Sequence, residues 1–474
     1  MQSQHLSSAA VLAALLVIGC SSAQAATPGP VPPPENQALG REVLRQLVET
    51  DTTHAHGSTG AAREIAARFL AAGFPAADVT VVIPPEHPTK GNVVVRLRGT
   101  GEARPILWLC HLDVVEARRE DWTYDPFKLT EADGWLYGRG TIDMKGQDAA
   151  VIASLIRLRQ AGWRGKHDII AAFTADEEAG GLDSGIEYLL AHDRPLIDAQ
   201  YVVNPDAGGG ENKDGQRLDF GIQTSEKMFL TFQLEARDKG GHSSRPTPDN
   251  PIYRMSRALA RLAAYQFPVH RTATTKAYFL GRSRLESGEL AADLREAGTA
   301  DTLAPATLQR LSARVETNVQ LRTTCVATTF EGGQGESALP ERAKALVQCR
   351  VIPGESPADV QRSLTEVLAD PSISIAVFTK ATVSPESPLT PQIITPVQEV
   401  AQGMWPGVTV LPNMSAGASD SEYTRAAGIP SYGVDGVFDE VNESRAHGRD
   451  ERINIQAFKE ELEFTWRLMK RLAG

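Results

Sequence analysis

The chain has 474 residues, and 48 Lys and Arg stand against 59 Asp and Glu for a net charge of -11. A length of this order divides into ~2 to 3 domains, because a single core does not grow that large. The acidic balance and the lack of a basic stripe exclude nucleic acid as the main partner, since phosphate neutralisation needs a basic surface.

Residues 1–25 read as an export signal. An apolar run from Ala9 to Gly19, too short for a membrane span, precedes Cys20 and Ala23-Gln24-Ala25. Two processing routes fit. Val17-Ile18-Gly19-Cys20 suits a lipoprotein box that leaves a lipidated Cys20 as membrane tether, whereas Ala23-Gln24-Ala25 suits ordinary cleavage. The basic segment that opens either kind of signal is missing, with His5 alone in its place. The expected location is therefore periplasmic or extracellular, soluble or anchored. Residues 26–37 form a Pro-rich tether, expected to be extended and poorly ordered.

The next stretch, 38–225, reads as the first part of a catalytic domain. GREVLRQLVET is helix-like, and in TGAAREIAARFLAAGF the residues Ile65, Phe69 and Leu70 recur at helical spacing before Gly73. NVVVRLRG is a strand, and Ile106 to Leu109 form a continuous apolar run, the mark of a buried parallel strand. That run ends at His111 and Asp113, two residues apart and so on one face of the strand. Asp143 opens a helical segment in which Ile152, Leu155, Ile156 and Arg159 share a face up to Gly162; a carboxylate there suits either metal ligation or capping. Ile169 to Phe173 is another apolar strand, followed by Asp176, Glu177 and Glu178, and Tyr201 to Val203 is a third, followed by Asp206. Apolar strands that alternate with helices and end in ligand-type side chains predict an α/β fold, with a mostly parallel sheet flanked by helices.

From Lys227 the texture changes to alternating strands, a helix around Tyr253 to Ala264, and a charged helical stretch from Arg284 to Val315. No acidic cluster ends these strands, which suggests a smaller α+β lid or dimerisation domain inserted over 226–383. Residues 384–474 return to the first texture and end in a helix with Phe458, Leu462, Trp466 and Met469 on one face. Cys325 and Cys349, in two strand-like runs, fit a cross-strand disulfide in an oxidising compartment or a pair of buried thiols. Cys110 points away from His111 and reads as core.

The candidates are His111, Asp113, Asp143, Glu177, Glu178, Asp206 and the late His447, and five of them would make up the mixed imidazole and carboxylate set that suits zinc. Two cations sharing one carboxylate would sit about 3.5 to 4 Å apart, and such a site needs a base that is not itself a ligand. The adjacent Glu177 and Glu178 supply one residue for each task.

The ordered set HLDVV, W-x-x-DPF, GRGTIDMKG, ADEEAGG, NPDAGG, GGHSS and RAHG resembles the co-catalytic zinc metallopeptidase family that contains aminoacylase, carnosinase, carboxypeptidase G and succinyl-diaminopimelate desuccinylase. The resemblance spans nearly the whole chain after the signal. It implies two Zn2+ per chain, with Co2+ or Mn2+ as alternatives, bridged by Asp143. His111 and Asp206 would complete one site, Glu178 and His447 the other. Glu177 would be the general base and Asp113 would orient His111. His242 matches the lid histidine that polarises the scissile carbonyl, often from a partner subunit, and the inserted domain would carry a homodimer; the bland alternative is a solvent-exposed turn histidine. Arg350 resembles the arginine that grips the substrate carboxylate, against the alternative of a strand arginine facing solvent. Gly417, with Ser419 and Asp420, matches the substrate-side glycine loop. The sequence departs from the family at Ser337, where asparagine is usual, and a hydroxyl reaches less far.

The implied activity is hydrolysis of a peptide or N-acyl amino acid at its amide bond, as an exopeptidase, dipeptidase or carboxypeptidase. Competing readings are an amidase or deacylase on a non-peptide substrate and a metal- or peptide-binding relic without turnover. The relic has no need of the non-ligand acids Asp113 and Glu177. A nucleotide-binding oxidoreductase fits poorly, since GGGENKDG lacks the phosphate-loop pattern and follows a strand that ends in an acid.

Overall fold

The computed structural model describes residues 27–474 apart from 179–183, 214, 441, 442 and 444, so the expected export signal and Cys20 lie outside the described residues. Ten strands build the central sheet among the described residues. Its middle is parallel. Ala103–His111 lies between His167–Thr174 and Tyr201–Asn204, and Ser431–Gly433 follows beyond Tyr201–Asn204. The strands are apolar along their inner lengths and buried on both faces, as parallel strands must be when helices cover each side. Three adjacent parallel strands thus bring His111, the Asp176–Glu178 turn and Asp206 to one edge.

The helix Lys145–Gln160 carries apolar and small residues on nearly every side, and only its last residues reach solvent. Its burial follows from position, since it packs between Pro34–Glu49, Ile455–Ala473 and the sheet. The Pro-rich segment departs from the free tether expected over 26–37. The Gly29 amide donates to Glu460 Oε1 at 2.7 Å, Arg217 Nη1 donates to the Thr27 carbonyl at 2.7 Å, and the first helix already begins at Pro34. Among the described residues no helix is long and apolar enough to cross a membrane.

A second sheet of four strands, in the order Thr324–Gly332, Arg342–Val351, Met228–Arg237, Ile373–Val377, has its own core. Leu230, Phe232, Leu234 and Val347 point to one face, where Pro251–Ala264 and Pro357–Leu368 cover them. Cys325 and Cys349 lie directly opposite each other in this sheet and are disulfide-bonded. The segment 226–383, expected to form one inserted domain, divides in two. The helices Ala273–Arg282, Gly288–Thr299, Pro305–Ser312 and Val315–Leu321 have a separate core, and the first packs on the central-sheet strand Val410–Ser415. A Cβ at Gly281 would lie 2.2 Å from Leu411 Cδ2, so any larger residue here requires that side chain to move.

The chain leaves the central sheet at Glu226 and returns near Ser387, whose amide donates to the Thr224 carbonyl at 2.8 Å. Arg425 clamps both crossings. Its Nη1 donates to Glu226 Oε1 at 2.6 Å and its Nε to Ser387 Oγ at 3.1 Å, with both partners of the ion pair 1 % exposed.

Lys227, the next residue, is wholly buried and donates to the Arg322 carbonyl at 2.7 Å. Burial pushes its pKa down from 10.5 to about 7. Between those two values the unfolded chain binds a proton that the folded chain does not, so stability should rise with pH across the window from about 7 to 10.5. Lys227→Met is expected to flatten that rise. Urea midpoints of both proteins at several pH values check it, and equal pH slopes would remove Lys227 as the cause.

Candidate active site

Asp143 stands at the centre, just before the helix Lys145–Gln160. Its Oδ1 lies 3.3 Å from His111 Nε2 and its Oδ2 lies 3.1 Å from His447 Nε2. Each imidazole has a second carboxylate of its own: Asp206 Oδ1 is 3.4 Å from His111 Nε2, and Glu178 Oε2 is 2.9 Å from His447 Nε2. Asp143 is thus shared between two nitrogen and carboxylate groups, one built on the sheet edge and one on the loop of His447.

His111 Nε2 is buried and aligned for a hydrogen bond with no partner among the described residues, although two carboxylates flank it. A nitrogen aimed between carboxylates fits a shared cation, and donor atoms of His111, Asp143 and Glu178 lie within 4.8 Å of one another. Burial opposes charge on His111, yet the nearby Asp143 and Asp206 carboxylates outweigh it and raise its pKa well above the usual value. His447, beside Asp143 and Glu178, rises to about 10. Asp143 falls below its usual range because the two imidazoles overcome its burial, whereas burial lifts Asp206 to about 6. Strong perturbations gathered in one cluster of titratable groups are the mark of a functional site.

Asp113 meets His111 through both its backbone and its side chain. His111 Nδ1 lies 3.0 Å from the Asp113 main-chain carbonyl, which fixes the tautomer, while the carboxylate stands 3.9 Å away. That carboxylate also accepts the amides of Glu177 at 3.1 Å and Glu178 at 3.0 Å. It therefore shapes the turn that presents both glutamates. The turn begins at Asp176, which takes φ +67° and pairs with Lys90. Burial, reinforced by Asp206, raises the Glu177 pKa well above the ordinary carboxylate value.

A cavity of about 490 Å³ opens beside this centre, lined by Glu177, Glu178, Asp420 and, from the inserted sheet, Arg350. Arg350 is half-buried and its Nη1 has no hydrogen-bond partner among the described residues, which sets aside the solvent-facing alternative. Gly417 lies just outside the lining, where its amide donates to Ser415 Oγ at 3.0 Å; its neighbours Ser419 and Asp420 face the cavity. His242 and Ser337 are not brought to it. Both are exposed, in a small separate sheet where the Ser243 amide donates to the Ser337 carbonyl at 3.0 Å.

Two residues that motif reading passed over hold the centre together. Glu451, buried, accepts the amides of Ile142 at 3.0 Å and Asp143 at 3.2 Å and pairs with Arg139 at 2.6 Å. Arg139 in turn donates to the His447 carbonyl at 3.5 Å. Arg139 sits inside GRGTIDMKG and Glu451 shortly after RAHG, so the signal was a charged pair flanking two ligand candidates.

The chain is 24% identical over 449 residues to N-fatty-acyl-amino acid synthase/hydrolase PM20D1 of Homo sapiens, covering 92% of this chain and 88% of that protein. Among solved structures, an M20 family metallo-carboxypeptidase, Sso-CP2 from Sulfolobus solfataricus, superposes with a TM-score of 0.68 at 17% identity, over 92% of this chain and 99% of that one. The Bacillus subtilis YXEP protein, a dinuclear metal binding peptidase, matches with a TM-score of 0.58 at 12% identity, over 93% and 99% of the two chains. The peptidase family M20/M25/M40 model matches residues 107–471, and the chain belongs to that family of metal-dependent hydrolases acting on amide bonds of peptides or acyl amino acids.

Proposed function

We propose that the protein is an exported dizinc hydrolase that releases an amino acid from a peptide or N-acyl amino acid, with Glu177 as general base. The observation that carries this reading is Asp143, whose two oxygens face different imidazoles, each backed by its own carboxylate. His111, Asp143 and Asp206 would hold one cation, and Asp143, Glu178 and His447 the other. Two divalent cations there supply Lewis acidity toward the scissile carbonyl and acidify the attacking water.

The remaining steps belong to side chains. Glu177, outside the ligand set and lining the cavity, takes the proton of the attacking water as the oxygen adds to the carbonyl carbon. It then gives that proton to the amine nitrogen as the C–N bond breaks. Arg350 meets the substrate carboxylate from the inserted sheet, which supports exopeptidase action of the carboxypeptidase or dipeptidase type. The exposed His242, away from the cavity in its own chain, supports delivery of this residue across a homodimer. The Cys325–Cys349 disulfide supports export, by lipidation at Cys20 or by ordinary cleavage.

The deciding experiment is amino-acid release from a panel of dipeptides, longer peptides and N-acyl amino acids, with and without a chelator. Chelator-sensitive release, restored by Zn2+, is the expected result. Release that a chelator leaves untouched would sink the metal mechanism, and no release from a protein carrying two zinc ions would move the reading to a non-peptide amide or a binding role.

A further inference from the structure

The side of the cavity that carries Arg350 is not only cationic. Phe229 sits directly across from Arg350 in the inserted sheet, and the guanidinium carbon lies 4.8 Å from the centre of its ring. Phe378 lines the same cavity, its amide anchored to the Thr231 carbonyl at 2.8 Å. The rings are 37 % and 57 % exposed, while the core of this sheet lies on its other face. Large apolar side chains left open at the mouth of a polar cavity mark a surface that something apolar covers.

We infer that Phe229 and Phe378 form, with Arg350, a subsite for the amino acid released in the reaction, selecting a large apolar side chain over glycine or an acidic one. This rests on the amide-hydrolase reading above. In a released amino acid the carboxylate and the side chain share one carbon atom. A carboxylate held by Arg350 therefore places the side chain of the same residue, rather than the acyl group beyond the scissile bond, against the adjoining rings. The acids that line the same cavity disfavour an acidic side chain there, and Lys380, the other cation of the lining, is already paired with Glu187.

The test compares kcat/KM for N-acetyl-leucine, N-acetyl-phenylalanine, N-acetylglycine and N-acetyl-aspartate, and for the matching glycyl dipeptides. The wild-type protein should favour leucine and phenylalanine over glycine by roughly tenfold or more, the scale of burying an apolar side chain. Phe378→Ala and Phe229→Ala should each cut that ratio several-fold, mainly through KM, and Phe378→Trp should keep it. Hydrolysis without apolar preference overturns the subsite alone. A preference that survives both alanine variants overturns its assignment to these rings. No hydrolysis of any substrate by zinc-loaded protein overturns the proposed release of an amino acid and the subsite with it.

Discussion

Glu177→Gln is expected to lower kcat by about a thousandfold or more while both metal ions stay bound, in the range for removing a general base. Glutamine keeps the size and the polar contacts of the side chain and loses only the ability to take a proton. The Asp113 carboxylate, which accepts the amides of Glu177 and Glu178, should hold the turn unchanged. Activity and metal content must be measured on the same preparation, because the outcome turns on their separation. Loss of metal along with turnover would make Glu177 a ligand and reverse the roles given to the two glutamates. Asp143→Ala is the contrasting case. Its oxygens face His111 and His447 separately, so both ions should be lost, and a variant that kept two zinc ions would refute the shared carboxylate.

Arg425→Met should destabilise the protein by about 3 to 5 kcal/mol, the cost of leaving a buried charge without its partner. Glu226 would lose the guanidinium at 2.6 Å, and the carbonyl of Ser431 and the hydroxyl of Ser387 would lose a shared donor. The damage should reach the cavity, since Glu226 also accepts from Ser419 at 2.9 Å and Ser419 lines it. Urea unfolding of Arg425→Met, Glu226→Gln and the double variant measures the coupling. The double variant should recover much of the loss, because an amide is cheaper to bury than an unpaired carboxylate. A double variant as unstable as the sum of two singles would show that the pair is not what holds the crossings.

The sheet and the residues of the centre were legible because each strand of the parallel core is an apolar run ending in a polar cluster. His111, Glu178 and Asp206 needed only the rule that such strands end at a common edge. Asp143 and His447 come from loops, and their place beside the edge depended on the resemblance of whole motifs. Periodicity identified the C-terminal helix from Phe458, Leu462 and Met469, all buried. It described Lys145–Gln160 less well, because a helix enclosed on every side does not show one apolar stripe. A second task of Asp113 stayed hidden for a chemical reason: spacing shows that its carboxylate can face His111, not that two backbone amides also bind it. Nor does a charged helical pattern reveal its surroundings, so Ala273–Leu321 looked like part of the inserted domain although its helices have their own core and the first packs on the central sheet.

The contact between Thr224 and Ser387 has an evolutionary consequence. A segment whose two ends meet can be lengthened, shortened or exchanged between lineages without opening the framework that carries it. In this chain that segment brings Phe229, Arg350 and Phe378, while every ligand candidate and Glu177 lie on the framework. New substrate preferences could therefore arise by recombination at one seam, with the reaction inherited intact. The helices between Ala273 and Leu321 limit the exchange, since they are moored to the framework and would have to stay behind.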